Sequence, residues 1–329
     1  MSTFDVFALC NPLYDLQVQV SDALLVGFGF PKGGVCLIDR EQYDELIPKL
    51  AGLPIHATPG GSAANTVIGI QQLGGTTCYT GKVGADSYGA AYRNGMISRG
   101  VQANLGVGSQ PTGLSVILIT PDAQRTMFTY LGACRELGLF DIDPDAIAQS
   151  RYLYVTGYCW DTQNQKDAVL FAMEQARAAG VPIALSLSDP FVVRRHKEEL
   201  RRVVNDHVDV LFGNQEEAEV FTETSSPEAA VDVLRSYCNT AVVTMSAAGS
   251  YIAHGSHMYR IEPFAVAAVD ATGAGDMYAA GLLYGLTHDL SISATGRLAS
   301  YLAARVVAQL GPRLDAIDPQ VVEELLAEA

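Results

Sequence analysis

The residues Val269, Asp270, Ala271, Thr272, Gly273, Ala274, Gly275 and Asp276 run directly into Met277 to Thr287, an apolar stretch of helical period. Glycines at 273 and 275 permit a tight turn and close approach of a ligand, and leave the first N–H groups of the following helix unspent. Those groups, at the positive end of a helix, would stabilise charge on a transferring phosphoryl group. Asp276 is favoured as an anion at the same helix start, and a carboxylate there can accept a proton from an attacking hydroxyl. On local spacing alone, the segment suits equally well a glycine turn with Asp276 as a helix cap.

A second group follows the apolar run Phe4 to Leu9. Asn11, Pro12, Leu13, Tyr14 and Asp15 bring together an amide and a carboxylate, the donors and acceptors that sugar hydroxyls need, although Asn-Pro also makes an ordinary turn. Gly60 and Gly61 precede a helix expected to begin near Ser62, with Asn65 in its first turn. Asn65 either faces the same pocket or satisfies local backbone.

These residues have to be held by regular elements. Apolar β-rich runs alternate with segments of helical period: Arg151 to Thr156, Gln163 to Ala179, Pro182 to Leu187, Arg194 to Val203, Val208 to Gly213, Gln215 to Phe221. The rhythm predicts a mostly parallel sheet with helices on both faces, and ligands beyond the carboxyl ends of its strands. Leu13 to Val20, Gly34 to Ile38, Thr112 to Ile119 and Thr126 to Leu131 break the rhythm. They read as a small secondary sheet, a lid over the main domain, with a hairpin turn at Pro121-Asp122. His254 to Met258 falls within a further hairpin.

With 329 residues, 49% hydrophobic and 17% charged, the chain is too apolar for a disordered protein, and it is long enough for one large domain. Its net charge of −15, with no basic run, argues against a nucleic-acid partner, while a small anion can still be held by backbone N–H groups. No segment reads as a membrane span or a secretory signal, and the six scattered cysteines show no metal-ligand spacing, so reduced thiols in a cytoplasmic protein are expected. Gly81-Lys82 lacks the glycine spacing and the following Ser or Thr of a P-loop, and Gly27-Phe28-Gly29 lacks the helix of a dinucleotide fingerprint.

Val269 to Asp276 resembles the carboxy-terminal signature D-T-x-G-A-G-D of the ribokinase-like, or PfkB, family of carbohydrate and nucleoside kinases, with Ala271 in place of Thr. Pro59 to Asn65, Gly74-Gly75 and Gly81 to Asp86 resemble its amino-terminal signature. Gly213 to Glu217 is similar to its N-x-x-E, and Thr244 to Gly249 to its T-x-G-x-x-G, with Ser246 where the family has glycine. The four motifs stand in the family's order and extend from about residue 5 to about residue 310.

The resemblance implies a ribokinase-like α/β three-layer sandwich of one domain, residues 1–329, with lid segments at about 13–20, 33–39 and 111–131. It implies ATP and Mg²⁺, with K⁺ as a further candidate ion. Asp276 would be the base, and Gly273, Ala274 and Gly275 the anion hole. Asn214 and Glu217 would help place Mg²⁺ and the phosphates, although Glu217 alone reads as a surface charge. Thr244 and Gly249 would lie along ATP. Asn11-Pro12-Leu13-Tyr14-Asp15, Gln110 to Gly113 and Leu185 to Phe191 are most similar to the adenosine-kinase branch. On that likeness Asp15 would hold the ribose hydroxyls, aided by Asn11, Gly61, Ser62 and Asn65, and Leu13, Cys36, Leu131, Ala133 and Tyr158 would line a base pocket. The glutamine common in that branch is missing from Pro31 to Ile38. The expected reaction is ATP-dependent phosphorylation of the primary hydroxyl of a nucleoside, adenosine foremost. A free sugar such as ribose or fructose is the alternative, and the expected assembly is a monomer or homodimer.

Overall fold

Short apolar strands separated by capped helices give a large sheet and a small one in the computed structural model, which describes residues 3–27, 32–122 and 124–327. Phe28 and Gly29 of the rejected fingerprint, and Pro31, lie outside the described residues.

In chain order the strands are β1 (Phe4–Leu9), β2 (Leu13–Gln19), β3 (Val35–Leu37), β4 (Ile55–Gly60), β5 (Thr77–Gly84), β6 (Gln102–Gly108) and β7 (Gly113–Ile119). They continue as β8 (Arg125–Tyr130), β9 (Ser150–Thr156), β10 (Ile183–Ser186), β11 (Val210–Asn214), β12 (Thr240–Thr244), β13 (Ser250–His254) and β14 (His257–Ile261). The large sheet has the order β14-β13-β12-β11-β10-β9-β1-β5-β6. All its pairings from β12 to β6 are parallel, and only the β13–β14 hairpin adds antiparallel strands. Val6 to Leu9 of β1 are wholly buried, as a central strand covered on both faces must be.

Helix boundaries follow from their caps. The helix Gln163–Ala179 starts beyond Thr162, whose partner three residues on is Gln165, and ends where Gly180 turns left-handed at φ 71°. The helix expected from Arg194 to Val203 is longer, Pro190–His207. Asp189 accepts from the N–H of Phe191, and Pro190 fills the first turn, where its missing N–H costs nothing.

The small sheet has the order β3-β8-β7-β2-β4. Four of its strands were expected; β4, on the edge, was not. Alternation along these strands divides their residues between two tasks. Leu16 and Val18 of β2, Leu114, Val116 and Leu118 of β7, and Phe128 and Tyr130 of β8 form a separate core with Tyr43 and Leu46 of the helix Arg40–Lys49. Their neighbours Leu13, Asp15, Ser115, Ile117, Met127 and Thr129 face the other way, into a cavity between the small sheet and the large one. The small sheet is thus a packed layer with its own helix.

Candidate active site

A cavity of about 840 Å³ lies where the carboxyl ends of β1, β9, β10, β11 and β12 meet the small sheet. Parallel strands aim their carboxyl ends at one edge, and the connections that follow supply the site.

Asp276 is the third residue of the helix Ala274–Thr287. Gly273 precedes it at φ 79°, with its α-carbon packed so closely on the Pro312 backbone that a side chain would collide. The N–H of Ala274 folds back onto the carbonyl of Ala271 at 3.2 Å, whereas those of Gly275 and Asp276 have no backbone acceptor among the described residues. Gly273 and Gly275 line the cavity; Ala274 does not. The Asp276 carboxylate accepts from Ser62 Oγ at 2.6 Å and from Asn65 Nδ2 at 2.7 Å. Burial raises its pKa, against those two hydrogen bonds and the charge of Arg313.

Asp15 is 6% exposed and lines the same cavity. Its carboxyl lies over Gly60, where any side chain would clash. Burial pushes its pKa up to about 7; the positive charges of Arg313 and Arg125 oppose this, and the Asp276 carboxylate adds to it. Asn11 also lines the cavity, but its amide is engaged at both ends. Nδ2 donates to the Tyr158 carbonyl at 3.0 Å, and Oδ1 accepts from Gln165 Nε2 at 2.8 Å. Asn11 therefore organises the turn and keeps one N–H hydrogen to offer. Gly61, at φ 93°, sits against the Asn11 carbonyl, which only glycine permits.

Glu217 is 5% exposed, so it is no surface charge. It and Asn214 form a reciprocal cap. Asn214 donates its backbone N–H and its side-chain amide to Glu217 at 3.0 and 2.6 Å, and Asn214 Oδ1 accepts from the Glu217 N–H at 2.9 Å. Burial lifts the Glu217 pKa to about 7. Both side chains line the cavity. Among the described residues no group of three or more His, Cys, Asp or Glu side chains is gathered that could enclose a metal ion. One buried carboxylate still suits Mg²⁺, which keeps several waters and leans on substrate phosphates.

Leu13, Cys36, Leu131, Tyr158, Ser62, Asn65 and Thr244 line the cavity as expected residues. Ala133 and Gly249 are not among the residues that line it. Ala133 is fully buried and packs against Gly108, and Gly249 belongs to the turn that opens β13, tight against the Ile261 carbonyl. The cysteines are free thiols, five of them buried.

The motifs did not contain Arg125, Arg313 or Trp160, and they gave Asp270, the first residue of the glycine-turn signature, no role of its own. Trp160 lines the cavity from beyond β9. Arg125 opens β8, and its Nη1 meets Asp270 Oδ2 at 2.7 Å and Thr272 Oγ1 at 3.3 Å. Its Nη2 is buried without a partner among the described residues. Asp270 pins the glycine turn by accepting from the N–H and Oγ1 of Thr272 and from the Gly311 N–H. An isolated arginine opening an apolar strand is the only signal Arg125 gives in sequence.

A family model described as pfkB family carbohydrate kinase matches residues 31–318. Adenosine kinase of Saccharomyces cerevisiae is 26% identical over 332 residues, covering 94% of this chain and 96% of its own. Two solved structures superpose on nearly the whole chain, each covering 98% of it and 99% of their own. They are a probable sugar kinase from Rhizobium etli CFN 42, at TM-score 0.89 and 34% identity, and adenosine kinase from Sinorhizobium meliloti, at 0.88 and 35%.

Proposed function

Because the chain belongs to the pfkB family of carbohydrate kinases, we propose that it transfers the γ-phosphoryl group of ATP to the primary hydroxyl of a nucleoside, with adenosine the foremost acceptor. That it is a phosphotransferase acting on a hydroxyl follows from the family and its kinase relatives. The observation that carries the finer reading is the facing of two carboxylates, the buried Asp15 and the half-buried Asp276, into one cavity whose far wall is apolar.

The acceptor's vicinal hydroxyls pair with Asp15, and its base fills the space among Leu13, Cys36, Leu131, Ile117, Met127 and Tyr158. This orientation brings the primary hydroxyl to Asp276, which accepts its proton as the oxygen attacks phosphorus. The free N–H groups of Gly275 and Asp276, with Gly273 at the bend, stabilise the charge that builds on the phosphoryl oxygens, and Arg125 adds a cation beside Thr272. Thr244, Asn214 and Glu217 line the end of the cavity reserved for ATP. Mg²⁺, when bound, neutralises phosphate charge, and Asn214 and Glu217 would hold it through its waters. The small sheet excludes water from the transfer.

A free-sugar acceptor is the second reading, favoured by the Ser115 and Thr129 hydroxyls that face the cavity. ATP turnover measured with adenosine, inosine, guanosine, ribose and fructose decides between them. A pentose or hexose with higher kcat/KM than every nucleoside overturns the nucleoside reading.

A further inference from the structure

Arg313 follows the Gly311-Pro312 turn near the end of the chain and belongs to none of the four motifs. Its guanidinium reaches two elements at once. Nη1 donates to Asn65 Oδ1 at 2.5 Å and Nη2 to Thr58 Oγ1 at 2.8 Å. Thr58 stands on β4 of the small sheet, directly opposite Asp15 on β2. Asn65 donates in turn to Asp276 Oδ2 at 2.7 Å. A continuous chain of hydrogen bonds therefore runs from the lid sheet, through Thr58, Arg313 and Asn65, to the carboxylate read above as the base.

The direction of this chain is fixed by chemistry. A guanidinium has donors only, so the Asn65 amide must turn its carbonyl to Arg313 and its NH₂ to Asp276. The reversed amide would set donor against donor and a carbonyl against a carboxylate. The other ionisable groups around this cluster are Asp15 on β2, Tyr154 on β9, Tyr158 beyond β9, Tyr92 of the helix Ser87–Ile97, Arg99 after that helix, and Arg125 on β8. Burial pushes all three tyrosines well up, so near neutral pH the groups left to carry or exchange charge are the two aspartates, both raised by burial, and the arginines.

We propose that Arg313 is a positioning residue that locks the Asn65 amide toward Asp276 and ties the small sheet to it, so that the base takes its working geometry when the lid strand is seated. The proposal rests on Asp276 being the base.

The test uses the full chain with ATP and adenosine, and follows kcat, KM and their pH dependence in Arg313→Met, Arg313→Lys and Thr58→Val, with cooperative unfolding as the check on folding. Arg313→Met loses both the lock and the cation, so kcat falls by ~10-fold or more while KM for ATP changes by less than about twofold. The acid limb of its profile moves to higher pH, because a carboxylate without its neighbouring cation protonates more easily. Arg313→Lys keeps the charge and so the acid limb, but recovers only part of kcat, since an ammonium cannot bridge both acceptors in one plane. Thr58→Val lowers kcat without moving the acid limb. An Arg313→Met enzyme with kcat within twofold of wild type and an unmoved acid limb overturns the proposal. If Arg313→Met does not fold, Arg313→Lys decides, and a wild-type kcat there overturns it. Asp276→Asn separates the two failures. If that variant is active, the base assignment is wrong. If it is inactive while Arg313→Met behaves as wild type, only the role of Arg313 is wrong.

Discussion

Arg125 and Asp270, 145 positions apart in sequence, meet at 2.7 Å and join the hairpin of the small sheet to the glycine turn that precedes Asp276. Their side chains are 11% and 7% exposed, so each shields the other from an unpaired burial. Arg125→Met should destabilise the fold by about 3 kcal/mol, and adding Asp270→Asn should return part of the loss. Urea unfolding of both single variants and the double variant measures the coupling, and strictly additive losses would show that the pair is not acting as one unit.

Asp276→Asn should leave the fold intact, because the new carbonyl can still accept from Asn65 Nδ2, whose direction Arg313 fixes, while the new NH₂ donates to the Ser62 hydroxyl, which can accept as well as donate. With no carboxylate to take the proton, kcat should drop by at least ~10²-fold. Steady-state rates at saturating ATP report this, and near-normal turnover would remove Asp276 from the chemistry.

Asp15 should discriminate among acceptors. A buried carboxylate paired with two hydroxyls is left short of a partner when one is missing, so ribonucleosides should exceed 2′-deoxy analogues by ~10-fold or more in kcat/KM, about 1.4 kcal/mol. Asp15→Ala should erase most of that ratio. A ratio that survives the substitution would place the hydroxyl contacts elsewhere.

The same residue makes stability depend on pH. Folding raises the Asp15 pKa from the ordinary carboxylate value to about 7, so the folded chain holds a proton that the unfolded chain has released. The contribution is fully present below about pH 4 and is lost as pH rises through about 7. Asp15→Asn should therefore raise the Tm of the ligand-free protein at pH 8 and change it little at pH 4. Equal shifts at both values would contradict the burial of this charge.

Ser246 stands at φ 50°, in the left-handed region, at the position where the family motif has glycine. Ser246→Gly should relieve this strain and stabilise the chain by up to about 1 kcal/mol, the gain being trimmed by the looser unfolded chain. A lowered denaturation midpoint would mean that the serine contributes more than its backbone costs.

The parallel sheet was legible because its strands, covered on both faces, must be apolar throughout, and Gly, Pro and capping residues mark where they stop. The glycine turn before Asp276 was legible because it changes both composition and period at a helix start. β4 was not, since Ile55, His56 and Ala57 are exposed and Pro59 interrupts any strand pattern, as an edge position allows. Ala133 and Gly249 sit beside informative residues yet do not line the cavity, which sequence proximity cannot reveal. Arg313 was invisible for the opposite reason: its partner Thr58 lies 255 residues away, so only the folded chain brings them together.

The alternation in the small sheet has a bearing on descent. Odd-numbered positions 115, 117, 127 and 129 touch whatever occupies the cavity, while their even-numbered neighbours hold the sheet to its helix. Drift at the first set can redraw the acceptor without unfolding the scaffold, and drift at the second is purged before chemistry is ever tried. A layer built this way lets one ancestral kinase diversify across sugars and nucleosides by a handful of substitutions, each selected for what it touches and almost free of what it supports.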